Sequence, residues 1–301
     1  MPVLLLLLKL VLLLALAPLL EGVVRKLRAI AGSRQGPPLW QGYLDLAKLF
    51  GKEDLRVTGS WLYRAAPPLS LASIGLAGLM VPLLVPRSPL EGAADAIVFI
   101  YLLGVLGIAV TVVALASESP FAYLGASREV MMLLSVEPVV AVALIVLALK
   151  AGTFSLGAMA NWHIENGLSV STGVATLAFA IALQAQVGKR PFDITEAESE
   201  IIGGPLAEVS GPSLALFHWA LYTRQLVFVA VLTEVFLPWP RAGIWPLDAL
   251  ISVAKILLVV ALIGLTDALM PRVRIDQSMT YYSRVVIFVA TLALALAVMG
   301  A

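Results

Sequence analysis

Long apolar runs recur along the chain, separated by short stretches that hold most of its charged residues. A membrane-spanning helix needs about 20 mostly apolar residues. Runs of that kind lie near residues 3–20, 63–86, 94–116, 130–150, 168–187, 213–237, 248–270 and 281–300. Because the hydrocarbon core of a bilayer offers no hydrogen-bond partners, helices are the economical structure for such runs. The pattern predicts an all-α integral membrane protein with about eight transmembrane helices, in a single domain over residues 1–301.

The composition favours the same class of protein. Of the 301 residues, 60% are hydrophobic and 13% are charged, whereas an ordinary soluble domain carries about 25% charged residues. Too few polar residues remain to cover a water-facing surface, so we expect the lipid bilayer of the inner cell membrane to cover it. The net charge of +1 implies no general attraction to nucleic acid.

The first apolar run has the length of a secretory signal peptide, but its charges are distributed differently. A signal peptide carries its basic residues before the apolar stretch. Here the cluster of Arg25, Lys26 and Arg28 follows the run. We therefore expect a first helix that is retained in the protein.

Lysine and arginine are distributed unevenly among the connecting segments. The odd-numbered connections share an excess of positive charge, carried by Arg25, Lys26, Arg28, Arg34, Lys48, Lys52, Arg56, Arg128, Lys189, Arg190, Arg272 and Arg274. The even-numbered connections hold fewer basic residues, namely Arg87, Lys150 and Arg241. Because cytoplasmic loops carry the excess of positive charge, cytoplasmic loops are predicted near 21–62, 117–129, 188–211 and 271–280. Both termini are then predicted on the outer side of the membrane.

The first cytoplasmic connection contains a short amphipathic pattern. Tyr43, Leu44, Ala47 and Phe50 recur at helical spacing within residues 41–50. Such a pattern predicts a short helix that lies at the membrane interface or against a partner protein.

The fifth connection is the most acidic part of the chain. Its four acids fall within eight residues and are Asp193, Glu196, Glu198 and Glu200. Asp193 and Glu196 have the spacing of a capping box, which predicts a short helix. Closely spaced acids repel one another, so some should hold protons above their usual pKa, which suits proton uptake or relay. The alternative is a solvated acidic helix balanced by Lys189 and Arg190.

Charged residues inside the apolar runs are costly and are candidates for function. We expect Glu137 and Lys255 to relay protons; the alternative for these two is a fixed ion pair or extension of the side chain to the interface. Glu234 and Asp267 lie nearer to helix ends and are expected to anchor the helices at the interface, with a functional role as the alternative. For His218 the expected role is a hydrogen bond within the packed helices, with proton transfer as the alternative.

Two absences limit the chemistry that the protein can carry. It contains no cysteine, which excludes disulfides, thiolate nucleophiles and cysteine-ligated iron–sulfur clusters. Its two histidines, His163 and His218, are far apart in sequence. We therefore expect no metal site, no bound cofactor and no redox centre in this chain.

The third connection adds a weaker signal. It places Glu118, Arg128 and Glu129 on the predicted cytoplasmic side. Glu129 is expected at the start of the fourth helix, where the helix dipole favours negative charge. Glu137 lies two helical turns further along, so the two acids suggest an inward path.

The fifth connection resembles a segment of a known protein family. The segment Arg190-Pro-Phe-Asp-Ile-Thr-Glu-Ala-Glu-Ser-Glu200 is similar to the fifth-loop signature of the family of respiratory NADH dehydrogenase subunit 1 and formate hydrogenlyase subunit 4. Gly125-Ala-Ser-Arg-Glu129 and the run from Gly36-Pro37 to Lys48-Leu49 add to the likeness. The resemblance extends over nearly the whole chain.

The resemblance implies roles for individual residues, because the family's acids line a channel between a redox arm and a membrane arm. The residues expected to relay protons are Asp193, Glu196, Glu198, Glu200, Glu137, Glu129, Glu118 and Lys255. The residues expected to dock a partner or to line a pocket are Arg34, Asp45, Lys48, Arg128, Arg190 and Glu208.

The branch of the family can also be inferred. Quinone-reducing members usually have several more residues between the Gly-Pro pair and the glutamine of the first loop, whereas here only residues 38–40 intervene. Ser119-Pro-Phe121 and Gly204-Pro-Leu-Ala-Glu208 are also similar to the hydrogenase branch. One departure is Val209, where the family commonly has an aromatic residue, so the adjacent pocket is expected to differ in shape.

The resemblance therefore predicts a membrane-anchor and coupling subunit of a hydrogenase-type respiratory oxidoreductase. Its expected partners are soluble hydrogenase-like large and small subunits, which would hold nickel–iron and iron–sulfur centres, and antiporter-like membrane subunits. The first alternative is the quinone-site subunit of an NADH–quinone oxidoreductase, the one case in which a quinone is expected. The second alternative is a stand-alone secondary transporter, although the sequence contains no evident inverted repeat.

Overall fold

The structure is a computed structural model that describes residues 2–83, 94–195, 198–201 and 203–300. In these ranges the secondary structure is helical, with no β-strand. The α-helices are α1 (Pro2–Ala31), α2 (Gln41–Phe50), α3 (Trp61–Met80), α4 (Ala96–Ala116), α5 (Pro120–Ala151), α6 (Leu156–Asn166), α7 (Val170–Gln186), α8 (Glu198–Ile201), α9 (Gly211–Val231), α10 (Trp245–Leu269), α11 (Ile275–Thr280) and α12 (Ile287–Val298). A 3₁₀ turn covers Gly204–Leu206, and π-helical stretches cover Leu232–Phe236 and Tyr281–Val286.

Six helices in the described ranges are long and apolar enough to cross a membrane. They are Val3–Ala31, Ala96–Ala116, Pro120–Ala151, Gly211–Phe236, Trp245–Leu269 and Ile275–Val298. The predicted all-α membrane class is therefore confirmed, and the protein is a multi-pass membrane protein. The other two predicted spans also coincide with helices, but α3 carries Arg64 and two prolines, and α7 has only 17 residues. Eight crossings and outward-facing termini stay predictions.

The helices extend further into the connections than the apolar pattern indicates. The first helix continues to Ala31, α11 occupies residues 275–280, and α5 begins at Pro120. Residues 120–129 of the predicted 117–129 connection are therefore helical, and Glu129 lies well inside α5 rather than at its start. Polar residues end an apolar run but need not end a helix. The start of α5 is instead fixed by Pro120, whose ring suits the first turn.

The predicted amphipathic helix at residues 41–50 is confirmed as α2. Leu46 and Gly42 face the neighbouring helices, and a side chain at Gly42 would collide with α1, since its Cβ would lie 2.7 Å from the Pro18 carbonyl oxygen. Tyr43 and Leu44 lie on the exposed side. The apolar face of α2 is therefore directed away from this chain's own core, as expected for a helix at an interface.

The helix α9, with the π-helical stretch that follows it, is the most buried of the six spans and also the least apolar of them. It packs against α1, α2 and α3. By contrast, α1, α10 and the last span are mostly exposed to the surroundings of the protein, as lipid-facing helices are. Between α7 and α10 an apolar groove of about 950 Å³ opens to one side.

Candidate functional site

A buried carboxylate on α1 connects the first helix to the fifth connection. Glu21 is only 3% exposed, and its Oε1 accepts hydrogen bonds from Arg25 Nε at 3.1 Å and from Lys189 Nζ at 2.8 Å. Its Oε2 has no hydrogen-bond donor among the described residues. A buried charge is tolerated when it is paired and hydrogen-bonded, so Glu21 holds α1 and the fifth connection together.

Arg25 extends this cluster to α2 and α9. Its Nη1 donates to Asp45 Oδ2 at 2.7 Å, and its Nη2 donates to the Tyr222 hydroxyl at 2.7 Å. Burial opposes ionisation of Asp45, but hydrogen bonds from Gln41 and Arg25 hold the pKa of Asp45 below its usual value. The ring of His218 stacks beside Tyr222, with 6.1 Å between the ring centroids. One arginine thus joins three helices through polar contacts.

A polar cavity of about 210 Å³ lies against this cluster. Its walls include Glu21, Arg25, Glu129, His218 and Arg224. At about 30 Å³ for each water molecule, it has room for roughly seven. The cavity therefore offers space for water beside acids and bases from three helices.

A smaller cavity of about 30 Å³ continues from there toward the middle of α5. Glu129, Arg224 and Thr195 line both cavities, while Glu137 lines only the smaller one. The Glu129 carboxylate is hydrogen-bonded to Thr195 and lies near the charge of Arg224. Glu129 and Arg224 are thus the shared wall between the large cavity and the site of Glu137.

Two glycines of α4 make room for the acids of α5. A Cβ atom at Gly104 would lie 2.8 Å from Glu137 Oε1, which is closer than real side chains approach. A Cβ atom at Gly107 would lie 3.4 Å from Glu129 Oε1. The two carboxylates therefore occupy space that larger residues on α4 would fill.

Two acids of the fifth connection, Asp193 and Glu200, have described side chains, and their environments differ. Burial raises the pKa of Asp193, and the charges of Arg272, Lys189 and Arg190 oppose that increase. Glu200 is exposed, and a 2.7 Å hydrogen bond from Arg128 Nη1 holds its pKa below the usual value. The predicted upward shift therefore holds for Asp193, with burial as the main cause rather than repulsion. The pKa of Glu200 is lowered instead.

The remaining predicted relay residues are not all brought together. Glu196 lies outside the described residues, as does the side chain of Glu198. Glu118 is exposed in the turn before α5 and joins none of the buried contacts of the described chain. Lys255 lies on α10 and pairs with Glu234, at the opposite end of α9 from the fifth connection. The relay set therefore divides into two separate groups.

The predicted docking residues lie mainly on the surface at the end where the acidic connection lies. Arg34, Lys48 and Glu208 are exposed there. Arg190 contributes its backbone N–H, which donates to Asp267 Oδ1 at 3.1 Å. Val209, the departure from the family pattern, is buried.

The interface role expected for two acids near helix ends is wrong. Asp267 is 2% exposed, and its Oδ2 lies 3.4 Å from Arg28 Nε. Glu234 is 3% exposed, and its Oε1 lies 3.2 Å from Lys255 Nζ. Position along the sequence indicated the depth of these acids but not the side of the helix, and both face neighbouring helices.

Three positions with notable buried contacts are not predicted from the sequence. Glu21 follows the first apolar run and lies four residues before Arg25, a spacing that places both on one helix face. Lys9 is the one ionisable residue between residues 2 and 20, and its ammonium donates to the Leu79 carbonyl at 2.9 Å at the end of α3. Gly104 had no sequence signal, because its role depends on the facing helix.

Within the described ranges, no group of three or more histidine, cysteine or acidic side chains is arranged to hold a metal ion. The buried acids and bases are instead arranged in contact with small polar cavities. Such an arrangement can bind, hold and pass protons, because each carboxylate can exchange a proton with water or with a neighbouring group.

The sequence model of the NADH dehydrogenase family matches residues 3–298. The chain belongs to this family. Its family membership, predicted from the fifth-loop segment, is thereby confirmed. Members that resemble it include "Hydrogenase-4 component C" of Escherichia coli strain K12, which is 37% identical over 271 residues, 88% of this chain and 86% of that protein.

Further members show both branches of the NADH dehydrogenase family. "Formate hydrogenlyase subunit 4" of Escherichia coli strain K12 is 33% identical, over 87% of this chain and 88% of that protein. "NADH-ubiquinone oxidoreductase chain 1" of Phascolarctos cinereus is 31% identical, over 85% of this chain and 83% of that protein. These relatives are membrane subunits of hydrogenase-4, formate hydrogenlyase and NADH–quinone oxidoreductase complexes.

A solved structure also resembles this NADH dehydrogenase family member. A chain of the membrane-bound sulfane sulfur reductase, an archaeal respiratory membrane complex, superimposes with a TM-score of 0.90 at 27% identity. The match covers 98% of this chain and 99% of that chain. The helical arrangement is therefore one that occurs inside a multisubunit respiratory membrane complex.

Proposed function

We propose that this chain is the membrane-anchor and coupling subunit of a hydrogenase-type respiratory complex in the inner cell membrane. In this role it docks a soluble redox arm and links electron transfer in that arm to the movement of protons or sodium ions. The partners are hydrogenase-like large and small subunits, with their nickel–iron and iron–sulfur centres, and antiporter-like membrane subunits. The chain itself carries protons, not electrons.

The observation that carries this proposal is a pair of adjoining cavities that share Glu129, Thr195 and Arg224 as lining residues. They lead from the cluster around Glu21 and Arg25, past Glu129 and Arg224, to Glu137 in the middle of a long apolar helix. A path of this kind has one end at the acidic connection and the other end inside the membrane. That is the placement needed to convey a change in the redox arm into the bilayer.

The magnitude of the electrostatic effect is sufficient for such a link. A unit charge about 4 Å away is worth roughly 4 kcal/mol at an effective dielectric of 20, which corresponds to about three pKa units. Asp193 is already surrounded by Arg272, Lys189 and Arg190. A redox event in the docked arm, or a loop movement that it causes, would therefore load or release a proton there.

The docking surface in this proposal is the end of the molecule that carries the acidic connection. Arg34, Lys48 and Glu208 are exposed on it, and the apolar side of α2 faces outward beside them. Exposed charges and an unpaired amphipathic helix suit a protein partner that rests on the membrane. Asp45 and Arg128 hold the underlying helices in place through their ion pairs.

This surface is proposed to face the cytoplasm, on the evidence of the lysine and arginine distribution. Gly51 ends α2 and is exposed there. Because the protein contains no cysteine, a Gly51→Cys variant can be labelled cleanly in inverted and right-side-out vesicles. We expect an impermeant thiol reagent to label it from the cytoplasmic side. Labelling only from the outside would reverse the proposed orientation.

The polar cavity also supports a second candidate, the quinone-site subunit of an NADH–quinone oxidoreductase. Tyr222 and His218 line it together with Leu206 and Leu221, a mixture of polar and apolar groups found in ligand sites. Its volume of about 210 Å³ is nevertheless below the roughly 300–1,000 Å³ of typical ligand pockets. Water fits this cavity better than a quinone, which favours the hydrogenase-type role.

The two candidates are separated by purifying the intact complex from native membranes and identifying its subunits. The hydrogenase-type role predicts hydrogen production from a low-potential electron donor. Quinone-dependent, inhibitor-sensitive turnover without hydrogenase activity would overturn the assignment to the hydrogenase branch. Membership of the family would be unaffected. Purification of the protein as a lone active carrier would instead favour the stand-alone transporter.

The role of the path is tested by substituting its innermost acid. In a Glu137→Gln variant we expect the complex to assemble, while the number of ions moved per turnover falls by about 100-fold, the typical contribution of a proton-transfer group. Glu137→Asp should retain part of the transport. Ser135→Ala, on the same helix outside the cavities, is the matched control. Normal transport by Glu137→Gln, or failure of its complex to assemble, would contradict the relay role.

A further inference from the structure

A second buried charge pair lies at the far end of α9. Glu234 follows Gly211 by 23 residues, which is about 35 Å along a helix, a little more than the roughly 30 Å of the hydrocarbon core. Its carboxylate lies 3.2 Å from the ammonium of Lys255 on α10, and both side chains are largely buried. The pair is therefore close to the membrane face opposite the acidic connection.

The helix geometry holds Lys255 in place independently of its acidic partner. The π-helical stretch Leu232–Phe236 is closed by a hydrogen bond from the Leu237 backbone N–H to the Leu232 carbonyl at 3.0 Å. Such widened turns leave carbonyl groups available for other donors and often occur at functional sites. The Lys255 ammonium donates to the carbonyls of Thr233 at 2.7 Å and Leu237 at 3.1 Å. It therefore keeps two partners even when Glu234 is neutral.

A small polar cavity connects this pair to the surface. Its volume is about 70 Å³, enough for about two water molecules at about 30 Å³ each. Its polar lining residues are Glu234, Lys255, Ser252, Asp248 and Arg241. Arg241 is exposed, and Asp248 Oδ1 accepts a hydrogen bond from the Ala242 backbone N–H at 2.6 Å. The same cavity is thus lined by the exposed Arg241 and by the buried pair.

We propose that Glu234, Lys255 and this cavity form a proton-exchange site that opens to the membrane face opposite the acid-lined path. The inference rests on the proposed coupling function and adds to it the side at which protons exchange with the far compartment. A proton passes from a water molecule in the cavity to the Glu234 carboxylate, while the Lys255 ammonium stays bound to its two carbonyls. Return of the proton to water restores the ion pair.

The charged groups around Glu234 support reversible exchange. Lys255 and Arg241 favour the Glu234 carboxylate, and Ser252 supplies a hydrogen bond to it. Asp248 favours the charged form of Lys255. On the other side, the His163 ring of α6 is hydrogen-bonded through Nδ1 to the Val235 carbonyl at 3.0 Å, next to Glu234 in the sequence. Residues of α6 and α10 therefore contact the site on two sides, and the cavity lies between the site and the surface.

Water access is tested first, by cysteine labelling of a Ser252→Cys variant with an impermeant thiol reagent applied to each membrane face. We expect reaction from the face opposite the acidic connection only. Lys150→Cys, partly exposed at the end of α5, is the reactive control, and Ser70→Cys, fully buried in α3, is the unreactive control. A Ser252→Cys thiol that reacts from the other face, or stays unreactive while Lys150→Cys reacts, would overturn the inference.

The second test asks whether the pair is more than a structural contact. Replacing both members of a buried ion pair by neutral residues is often tolerated, so a Glu234→Gln/Lys255→Met double variant should still assemble. In the intact complex reconstituted into vesicles, we expect at least about tenfold fewer protons moved per turnover. Lys150→Gln should leave this ratio unchanged. Normal transport would show that the pair takes no part in proton movement. Failure of the double variant to assemble would show that the pair is structural.

The same assay separates this inference from the proposed function. If the double variant transports normally and Glu137→Gln does not, only the far-side exchange site is wrong. If Glu137→Gln also transports normally, the coupling function itself is not supported.

Discussion

Glu21 and Glu137 are two carboxylates held among the same helices, yet their surroundings differ. Glu21 contacts two cations, Arg25 and Lys189, at 3.1 and 2.8 Å. Glu137 has no basic side chain within ion-pairing distance among the described residues, and its near neighbour is the glycine at position 104. A buried charge is tolerated when it is paired and hydrogen-bonded, whereas an unpaired buried charge costs free energy. The two acids therefore differ in their charged partners as well as in exposure, since Glu21 is buried and Glu137 is partly exposed. On the proposed function, the first is structural and the second relays protons.

The largest expected effect comes from breaking the paired site. Glu21→Gln leaves two cations without their shared carboxylate, and removal of one partner from a buried pair typically costs about 3–5 kcal/mol. We expect a marked fall in the thermal stability of the purified complex and in the amount assembled. The matched control is Asp276→Asn, which removes an exposed ion pair with Arg274 and should cost about 0–1 kcal/mol. Equal stability of the two variants would show that Glu21 is not a structural centre.

An intermediate effect is expected when the space around the unpaired acid is filled. In Gly104→Ala the new methyl group would lie 2.8 Å from Glu137 Oε1, and overpacking of this kind costs about 1–3 kcal/mol. The carboxylate must move, so ion transport per turnover should fall although no charge has changed. Gly173→Ala is the control, because its methyl group would approach only Leu168, at 3.7 Å. Transport that is unchanged in Gly104→Ala would mean that the position of Glu137 is not critical.

The smallest effect concerns Asp193, which has both burial and nearby cations. Burial raises its pKa, so its contribution to stability is complete below the unfolded-state pKa and is lost as the pH rises through the folded-state value. Hydrogen-exchange protection of residues 188–195, corrected for intrinsic rates, should therefore decrease with rising pH. In Asp193→Asn this decrease should be absent. A variant that retains the wild-type pH dependence would assign it to another group.

The comparison also explains which features could be predicted from sequence. The amphipathic helix at residues 41–50 follows from local spacing, and Glu137 stands out because it interrupts an apolar run. The pairing of Glu21 with Lys189 joins residues 168 positions apart, and no local pattern encodes such a contact. Asp267 was misassigned because a residue near a helix end can face either lipid or protein, and the apolar pattern here is too uniform to tell the two sides apart.

Loop boundaries were the other source of error. The apolar pattern marks where the polypeptide leaves the membrane, and helices such as α1 and α5 continue beyond that point. Their ends are set by capping residues and prolines, as at Pro120. The predicted position of Glu129 at a helix start was wrong for this reason. Its place beside Arg224 instead puts it on the proposed proton path.

The central position of α9 has a consequence for the biogenesis of the protein. It is the least apolar of the six long spans, and it carries Arg224 and Glu234. An arginine at the centre of a span costs about 2.5–3.5 kcal/mol during insertion by the translocon. When α9 is synthesised, α1 and α3 are already present to receive it, but the lysine that neutralises Glu234 lies on α10 and has not yet been made. The ion pair of Glu234 therefore forms only after a helix that leaves the ribosome later has been inserted.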